Sequence, residues 1–305
     1  MSTFSHGMAM DLTVAVNDSF SANSIMLAWL DGGTRSIEPG WRASLDESSP
    51  RWSAAALEVG NPESPLGPPG GLVASITSRS TAARQTRTEA YVPQMLNSSA
   101  MANRDIGYID MEVIKLGDRG FRSDALSLGA NRFRGSGQTE YVQLLSWFTE
   151  SEFTDSAERI ERRLAYIRGF ADRFGVIFGH ISYCEDSLAA TAWERAINAI
   201  PFEDIERCAE FARGFSWLTL LSESLMERLG GIRRLVDSGA FLEVSPLDGG
   251  GVWLKAASTW REFHDDCILV GRVRDVIAPV LLPGDVRDGN LKQVFGDHSP
   301  ILLGC

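Results

Sequence analysis

The sequence predicts an α+β fold, a layered mixed or antiparallel sheet with helices packed on one face. The first observation behind this prediction is an amphipathic segment over residues 155–174. Apolar residues recur there at alternating steps of three and four, which is the spacing of one helix face. The second is a set of short apolar runs, typical of strands, on both sides of that segment. The third is that predicted strands and helices do not alternate strictly, which disfavours a doubly wound parallel sheet.

The amphipathic helix is the best defined element of the sequence. Asp155 and Glu158 have the spacing of a capping box at its start. Gly175 ends it, and apolar residues 140–148 and 176–183 flank it as predicted strands. This order predicts a βαβ unit whose helix packs on the sheet. The residues of its apolar face are Ala157, Ile160, Leu164, Ile167, Ala171 and Phe174.

The part of the chain before this helix carries fewer signals. Leu12, Val14 and Val16 alternate with polar or small residues, which predicts a half-buried strand. Residues 107–116 form another predicted strand. Five glycines fall within residues 117–137, and this density predicts a long loop.

The C-terminal third mixes short helices and strands. Its predicted elements are helices at residues 187–199 and 203–212, a strand at 215–221, and a hairpin of residues 241–247 and 252–257. Asp265 or Asp266 caps a final helix, which Pro279 stops.

The expected organisation has three parts. Residues 1–100 form a poorly defined N-terminal region with a proline- and glycine-rich loop at 61–71, residues 101–286 form the α+β domain, and residues 287–305 form a loosely ordered tail. Met8 and Met10 precede the first predicted strand, so translation from one of them is an alternative start.

Charge limits the classes of partner. The chain has 40 acidic and 29 basic residues, a formal net charge of −11. Phosphates repel an acidic surface, so nucleic acid and anionic membrane are not expected as partners. A basic protein partner fits this charge, and solubility alone also explains it.

Cysteine usage and targeting patterns predict a cytoplasmic protein. The four cysteines match no C-x-x-C or zinc spacing, and reduced thiols are the expectation for so few in a long chain. The N-terminal residues lack a basic segment followed by an apolar one, so no signal peptide is expected.

One short motif raises an enzymatic alternative. Asp237, Ser238 and Gly239 resemble the active-site loop of retroviral-type aspartic proteases. That chemistry needs two carboxylates sharing one proton, so this chain would have to dimerise. The other interpretation is a helix end followed by a turn, with Gly239 just beyond the helix.

Histidine and cysteine groupings do not form a recognised metal pattern. His264 is followed by Asp265, Asp266 and Cys267, and His180 precedes Cys184. Neither group has the ligand spacing of a zinc site. The two aspartates fit a helix N-terminus, and His180 fits a buried core position. The sequence therefore predicts no catalytic residues, no metal and no cofactor.

A family resemblance begins near Gly214. The segments that carry it are FGHISY, FSWLTLL, ESLMERLGG, AFLEVSPLDGGGVWLKA and HDDCILVGRVRDVIAPVLLP. Together they resemble immunity proteins of bacterial polymorphic and type VI toxin systems, many of which are known only as domains of unknown function. The resemblance covers roughly residues 140–285. It implies a cytosolic, non-enzymatic protein that binds and neutralises a cognate toxin.

The expected partner is therefore a protein, with a basic toxin domain as the favoured class. Candidate partner-binding residues are the acidic Glu185, Asp186, Asp265 and Asp266, with Trp260 as an aromatic anchor. A position in the core is the alternative for Trp260. A structural or assembly protein of a bacterial system is a further alternative.

Overall fold

The computed structural model describes residues 7–47, 70–83, 85–91, 95–96, 98–118, 122–135, 137–149, 156–184 and 189–286. Its strands are β1 (Gly7–Ala15), β2 (Leu72–Arg79), β3 (Arg87–Ala90), β4 (Tyr108–Leu116), β5 (Arg122–Arg134), β6 (Glu140–Thr149), β7 (Val176–Cys184), β8 (Leu218–Leu221), β9 (Glu243–Pro246) and β10 (Val252–Lys255). Its helices are α1 (Ala22–Ile37), α2 (Pro39–Glu47), α3 (Ser99–Ala102), α4 (Ala157–Phe174), α5 (Ala192–Ala196), α6 (Glu223–Arg228), α7 (Gly231–Asp237), α8 (Trp260–Asp265) and α9 (Cys267–Ile277).

The strands form one ten-stranded sheet in the order β3-β2-β4-β5-β6-β1-β7-β8-β10-β9. Each neighbouring pair is antiparallel. The predicted α+β class with a layered antiparallel sheet is therefore confirmed.

The N-terminal strand lies in the middle of this sheet. β1 pairs with β6 on one side and β7 on the other. The sheet therefore crosses the boundary expected near residue 100, because β1, β2 and β3 all belong to it. The connector residues 61–69 and the tail 287–305 lie outside the described residues.

β1 is buried on both faces, not on one face as its alternation predicted. Side chains from Met8 to Val14 are all buried. The reason is tertiary: α1 and α4 cover one face, while residues 189–216 cover the other. On the α1 side, Leu128 of β5 packs directly against Gly33.

The loop predicted over residues 117–137 is wrong. Most of this segment is the long strand β5 (Arg122–Arg134), in which Leu126, Leu128 and Ala130 are buried at alternate positions. The loop was predicted from the number of glycines, and the alternation of apolar residues was overlooked. Gly129 is itself a strand residue, directly opposite Asp110 of β4.

The predicted amphipathic helix is confirmed as α4. Ser156 caps its N-terminus by accepting a hydrogen bond from the backbone N–H of Arg159, and Asp155 lies outside the described residues. Leu164 and Ile167 are buried in the main core. α4 connects β6 to β7, and both strands pair with β1, so the predicted βαβ unit holds β1 between its two strands.

The C-terminal third follows the prediction in part. The helices expected at 187–199 and 203–212 are shorter in the structure. They correspond to α5 and to a 3-10 turn at Ile205–Ala209. The β9–β10 hairpin is confirmed, with positive φ at Gly250 and Gly251 in its turn. Asp266 caps α9, because its side chain accepts from the N–H of Leu269.

Within the part of the chain that the structure describes, no helix is both long and apolar enough to cross a bilayer.

Candidate functional site

A cluster of charged and polar side chains lies inside the core. Arg213 is central: its Nη2 lies 2.6 Å from Asp11 Oδ2, and its Nε lies 3.5 Å from Glu194 Oε1. Gln143 donates to the same Asp11 oxygen at 2.7 Å. His180 completes the cluster. These five residues are called the buried polar cluster below.

Strand register brings the members of this cluster together. Asp11 of β1 lies opposite His180 of β7, so both side chains point to the same face of the sheet. Gln143 of β6 lies opposite Thr13 and joins them on that face. Residues 189–216 then cover this face and supply Glu194 and Arg213.

Residues 189–216, called the covering segment below, are held in place by local hydrogen bonds as well as by the ion pairs of Arg213. Thr191 and Glu194 form a capping box at the start of α5. The Thr191 backbone N–H and hydroxyl both donate to Glu194 Oε2, at 2.7 and 2.9 Å. Arg213 also donates from Nη1 to the carbonyl of Pro201 at 2.9 Å. The segment is thus tied to β1 through ionic contacts that no local pattern encodes.

Burial changes the protonation of the cluster. Burial raises the pKa of Glu194 to about 7, although the Arg213 charge acts against this. Burial lowers the pKa of His180 to about 4, with Asp11 opposing. Burial also disfavours the Arg213 cation, but the charges of Asp11 and Glu194 outweigh it and raise its pKa. Arg213 is therefore charged and His180 neutral at physiological pH.

The cluster is sealed from solvent. Asp11, His180, Glu194 and Arg213 each expose 0% of their surface. The neighbouring Cys208 thiol is also buried, which raises its pKa to about 12 and keeps it protonated. A substrate cannot reach these groups in this conformation. Their charges and hydrogen bonds therefore affect the stability of the fold.

The same face of the sheet is more open over β2, β4 and β5. Side chains in the middle of this face are half-buried, whereas Val73 and Ile114 at one end of it are buried. The helices α1 and α2 contact these strands from the opposite face. Ala189 of the covering segment packs near Leu145 and Trp147 of β6. This contact is the boundary between the part of the face that residues 189–216 cover and the more open part. We call this surface the open face. Its residues are Ser75, Thr77, Tyr108, Asp110, Glu112, Ser127 and Asn131.

Asp110 is the most perturbed carboxyl on the open face. It lies opposite Gly129, where an added Cβ would approach Asp110 Oδ1 at 3.3 Å. Ser127 Oγ lies 3.4 Å from the same oxygen. Burial raises the pKa of Asp110 to about 7, and the nearby negative charge of Glu112 raises it further. A basic group placed here would stabilise the ionised form.

Three of the predicted partner-binding residues, Trp260, Asp265 and Asp266, lie in α8 or directly after it. Trp260 exposes only 8% of its surface and stacks on Tyr183, with ring centroids 5.7 Å apart. Of the two positions considered for this ring, a surface anchor or the core, the structure has the core. Asp265 is 67% exposed and lies 3.0 Å from His264 Nδ1. Asp266 caps α9.

Two of the predicted residues, Glu185 and Asp186, lie outside the described residues. The contact of Trp260, Asp265 and Asp266 with a partner stays a prediction.

The protease-like loop has a different local structure from the one that its chemistry needs. Asp237 is the last residue of α7, and its side chain is 69% exposed beside Arg233. Gly239 has φ +62°, as expected for a residue that ends a helix. The interpretation as a helix end is confirmed, and the strand that should precede an aspartic-protease loop is a helix here.

Metal-capable side chains do not converge in the described ranges. No three His, Cys, Asp or Glu residues there lie close enough to hold an ion.

The cysteine expectation needs a correction. Cys267, at the first position of α9, is disulfide-bonded. Cys208 is a buried free thiol. The sequence pattern could not show this, because disulfide formation depends on a spatial approach that spacing alone does not fix.

The functional candidates that sequence reasoning missed are charges inside apolar runs. Asp11 interrupts residues 8–16, and Asp110 interrupts residues 107–116. A carboxylate within an apolar run indicates a functional or structural role, because buried carboxylates are rare unless they are paired.

Comparison with known proteins identifies a fold relationship. No protein-family profile and no curated protein matches the sequence. The fold is similar to a solved structure described as Pseudomonas aeruginosa T6SS protein PA0821, with a TM-score of 0.52 and 14% sequence identity. The match covers 97% of this chain and 81% of that chain. At this identity the likeness shows a shared fold.

Proposed function

We propose that this chain is a non-enzymatic binding protein of the immunity type, which neutralises a cognate toxin of a type VI secretion system. The observation that carries the proposal is the fold likeness over 97% of the chain to a protein described as a T6SS protein. The sequence resemblance to immunity proteins of such systems supports the same assignment.

The distribution of ionisable groups supports binding over catalysis. His180 and Glu194 have strongly shifted pKa values but expose 0% of their surface. Shifted groups of an enzyme need access to substrate, whereas a sealed cluster acts on structure. The net charge of −11 suits a basic toxin domain, whose approach an acidic surface accelerates.

The predicted contact residues fit this function in different ways. Asp265 is an exposed charge that can steer a partner, and Glu185 and Asp186 are further acidic candidates. Asp266 carries a capping role besides any role in binding. Trp260 supports Tyr183 from within the core and contributes to the shape of this surface.

A contact-competition assay tests the proposal and does not require the toxin to be identified first. The gene is deleted from its native bacterium, and the deletion strain is mixed with its parent on a solid surface. We expect the parent to eliminate the deletion strain, and expect no elimination when the parent's secretion system is disabled. Expression of this chain in the deletion strain should restore survival. Equal survival of both strains would overturn the proposal.

A structural or assembly role is the second candidate, because the likeness is to a protein described only by its secretion system. The two roles predict opposite phenotypes. Loss of an assembly protein should prevent the deletion strain from killing susceptible competitors. Loss of an immunity protein should leave that killing intact and make the strain itself susceptible.

A further inference from the structure

Most of the covering segment is a loop whose two ends meet. Gly214 lies directly against the Thr191 side chain, which leaves no room for a Cβ on Gly214. Two residues earlier in the chain, Ala212 is held by backbone hydrogen bonds to Val280 and Leu282. Because both ends are fixed side by side, residues 192–211 can leave the sheet without moving the chain before or after them. We call residues 192–211 the lid.

The side of the lid that faces the sheet consists mainly of small and polar side chains. Its buried residues are Glu194, Ala196, Pro201, Ile205 and Cys208, among which Ile205 is the one large aliphatic side chain. Burial of apolar surface is the main force that holds packed elements together. Elements with few buried apolar side chains therefore open at a lower free energy than the core does.

Arg213, just beyond the lid, joins it to the central strand. Its Nη1 donates to the carbonyl of Pro201 at 2.9 Å, and its Nε lies 3.5 Å from Glu194 Oε1. Its Nη2 lies 2.6 Å from Asp11 Oδ2 of β1. One guanidinium thus contacts the lid at two points and the sheet at a third.

Other side-chain hydrogen bonds join the lid to its surroundings near its edges. They run from Trp193 to the carbonyl of Leu282, from Arg195 to the carbonyl of Tyr183 and from Arg228 to the carbonyl of Glu210. None of these three is fully buried, so water can replace each of them when the lid moves.

The closed arrangement has two unfavourable features. Glu194 Oε1, Arg213 Nε and Asp11 Oδ1 are buried and make no hydrogen bond to another described residue, which is costly for a polar atom. Ala189, which leads into the lid, is fully buried and has φ +53°. This left-handed conformation is unfavourable for a residue with a Cβ. Opening would admit water to the three atoms and allow Ala189 to relax.

We propose that the lid opens as one unit while the sheet stays folded, and that Arg213 is the latch that holds it closed. Opening would uncover Asp11, Gln143 and His180. Strand register places them on the same side of the sheet as the open face, so the two would become one accessible surface from β2 to β7. This goes beyond the proposed function, because it concerns a second state of the molecule and no particular partner.

Cys208 is a natural reporter of this opening, because it is a free thiol within the lid and exposes 0% of its surface. The native protein, without reductant, is treated with iodoacetamide at several urea concentrations, and peptide mass spectrometry follows alkylation at Cys208. Ala130→Cys places a second buried thiol in β5, away from the lid. Each rate is divided by that of the same thiol in the unfolded chain, which corrects for intrinsic reactivity.

We expect Cys208 to be alkylated at least about tenfold faster than the thiol of Ala130→Cys. Its rate should also depend less on urea, because opening the lid exposes less surface than unfolding does. Equal rates and equal urea dependence would mean that Cys208 is reached only by global unfolding, and would overturn the proposal. Ala196→Cys, at a buried position in the other half of the lid, should report the same opening as Cys208. Different openings at these two positions would overturn movement as one unit.

Arg213→Lys tests the latch. Lysine keeps a positive charge near Asp11, but its single nitrogen cannot also reach the Pro201 carbonyl. We expect Cys208 to be alkylated at least about tenfold faster in this variant than in the wild type. Arg233→Lys is the matched control, because Arg233 is 95% exposed, and it should leave the rate unchanged. An unchanged rate in Arg213→Lys would overturn the assignment of the latch. The comparison of Cys208 with Ala130→Cys decides the opening itself even where Arg213→Lys does not fold.

Discussion

Arg213 and Asp11 form an ion pair in which neither side chain is exposed, although 202 residues separate them in the chain. Desolvation makes such a pair expensive to form, and removing one partner leaves a buried charge uncompensated. The pair therefore links the covering segment to the central strand in a single arrangement.

The first prediction concerns this link. Arg213→Met should lower the free energy of unfolding by about 3–5 kcal/mol, because Asp11 and Glu194 then lose their shared cation. Urea denaturation measures the loss. Arg233→Met is the control: that side chain is 95% exposed beside Asp237 and should cost less than about 1 kcal/mol. Equal losses in the two variants would contradict the role assigned to Arg213.

The second prediction is a pH dependence from His180. Its folded pKa of about 4 lies below its ordinary value of 6.5. The unfolded chain therefore binds the proton more readily between these values, and stability falls as pH drops from about 6.5 towards 4. The full effect is about 3 kcal/mol, from about 1.4 kcal/mol for each pKa unit.

Glu194 acts in the opposite direction. Its folded pKa of about 7 lies above its ordinary value of 4.5, so its contribution to stability falls as pH rises between these values. Asp110 behaves in the same way. The His180 effect is therefore isolated by comparing the wild type with His180→Asn at each pH. The variant should lose less stability on acidification, and parallel pH profiles would contradict the prediction.

The third prediction concerns the packing of α4. Leu164 is 7% exposed within the main core, so Leu164→Ala should cost about 2–5 kcal/mol through the cavity that it leaves. Glu161→Ala, on an exposed position of the same helix, should change stability by less than about 0.5 kcal/mol. A loss below about 0.5 kcal/mol at Leu164 would mean that this face of the helix is not buried as described.

The sequence predicted those elements in which buried residues recur at a regular spacing. The spacing of apolar residues gives α4 and its buried face, because one helix face repeats over five turns. The position of β1 could not be predicted in this way, since a strand enclosed by β6 and β7 has the same alternation as one at a sheet edge. β5 was missed because Gly129 looks like a turn residue until Asp110 is placed opposite it.

The fold class was predicted from the sequence, whereas the buried polar cluster was not. Asp265 and Asp266 were correctly placed at a helix boundary, and of the two positions considered for Trp260, a surface anchor or the core, the structure has the core. The cluster around Arg213 joins β1, β6, β7 and the covering segment. No sequence spacing encodes such a set, because its contacts exist only after these elements have been assembled.

The fourth prediction concerns the disulfide of Cys267. Reduction should lower the free energy of unfolding by about 2–4 kcal/mol, because it releases a constraint on the unfolded chain. Cys267→Ser should lower it similarly and remove the response to reductant. Cys208→Ala should keep that response, because Cys208 is a free thiol. Thermal melts with and without dithiothreitol make the comparison, and an unchanged melting temperature on reduction of the wild type would refute the prediction.

The last prediction separates steering from capping at the end of α8. Asp266 accepts from the Leu269 N–H at 2.9 Å, so Asp266→Lys should cost about 0.5–2 kcal/mol of stability through loss of the cap. Asp265 caps no helix in the described structure and is 67% exposed, so Asp265→Lys should leave the melting temperature nearly unchanged.

If this end of the molecule steers a basic toxin, Asp265→Lys should slow association at low salt and leave dissociation unchanged. Trp260→Ala should instead destabilise the fold by about 3–5 kcal/mol, since its ring is buried against Tyr183. Stopped-flow binding to the toxin recovered from the native bacterium measures the rates. A normal association rate for Asp265→Lys would remove this end of the molecule from the encounter and leave Asp266 with its capping role alone.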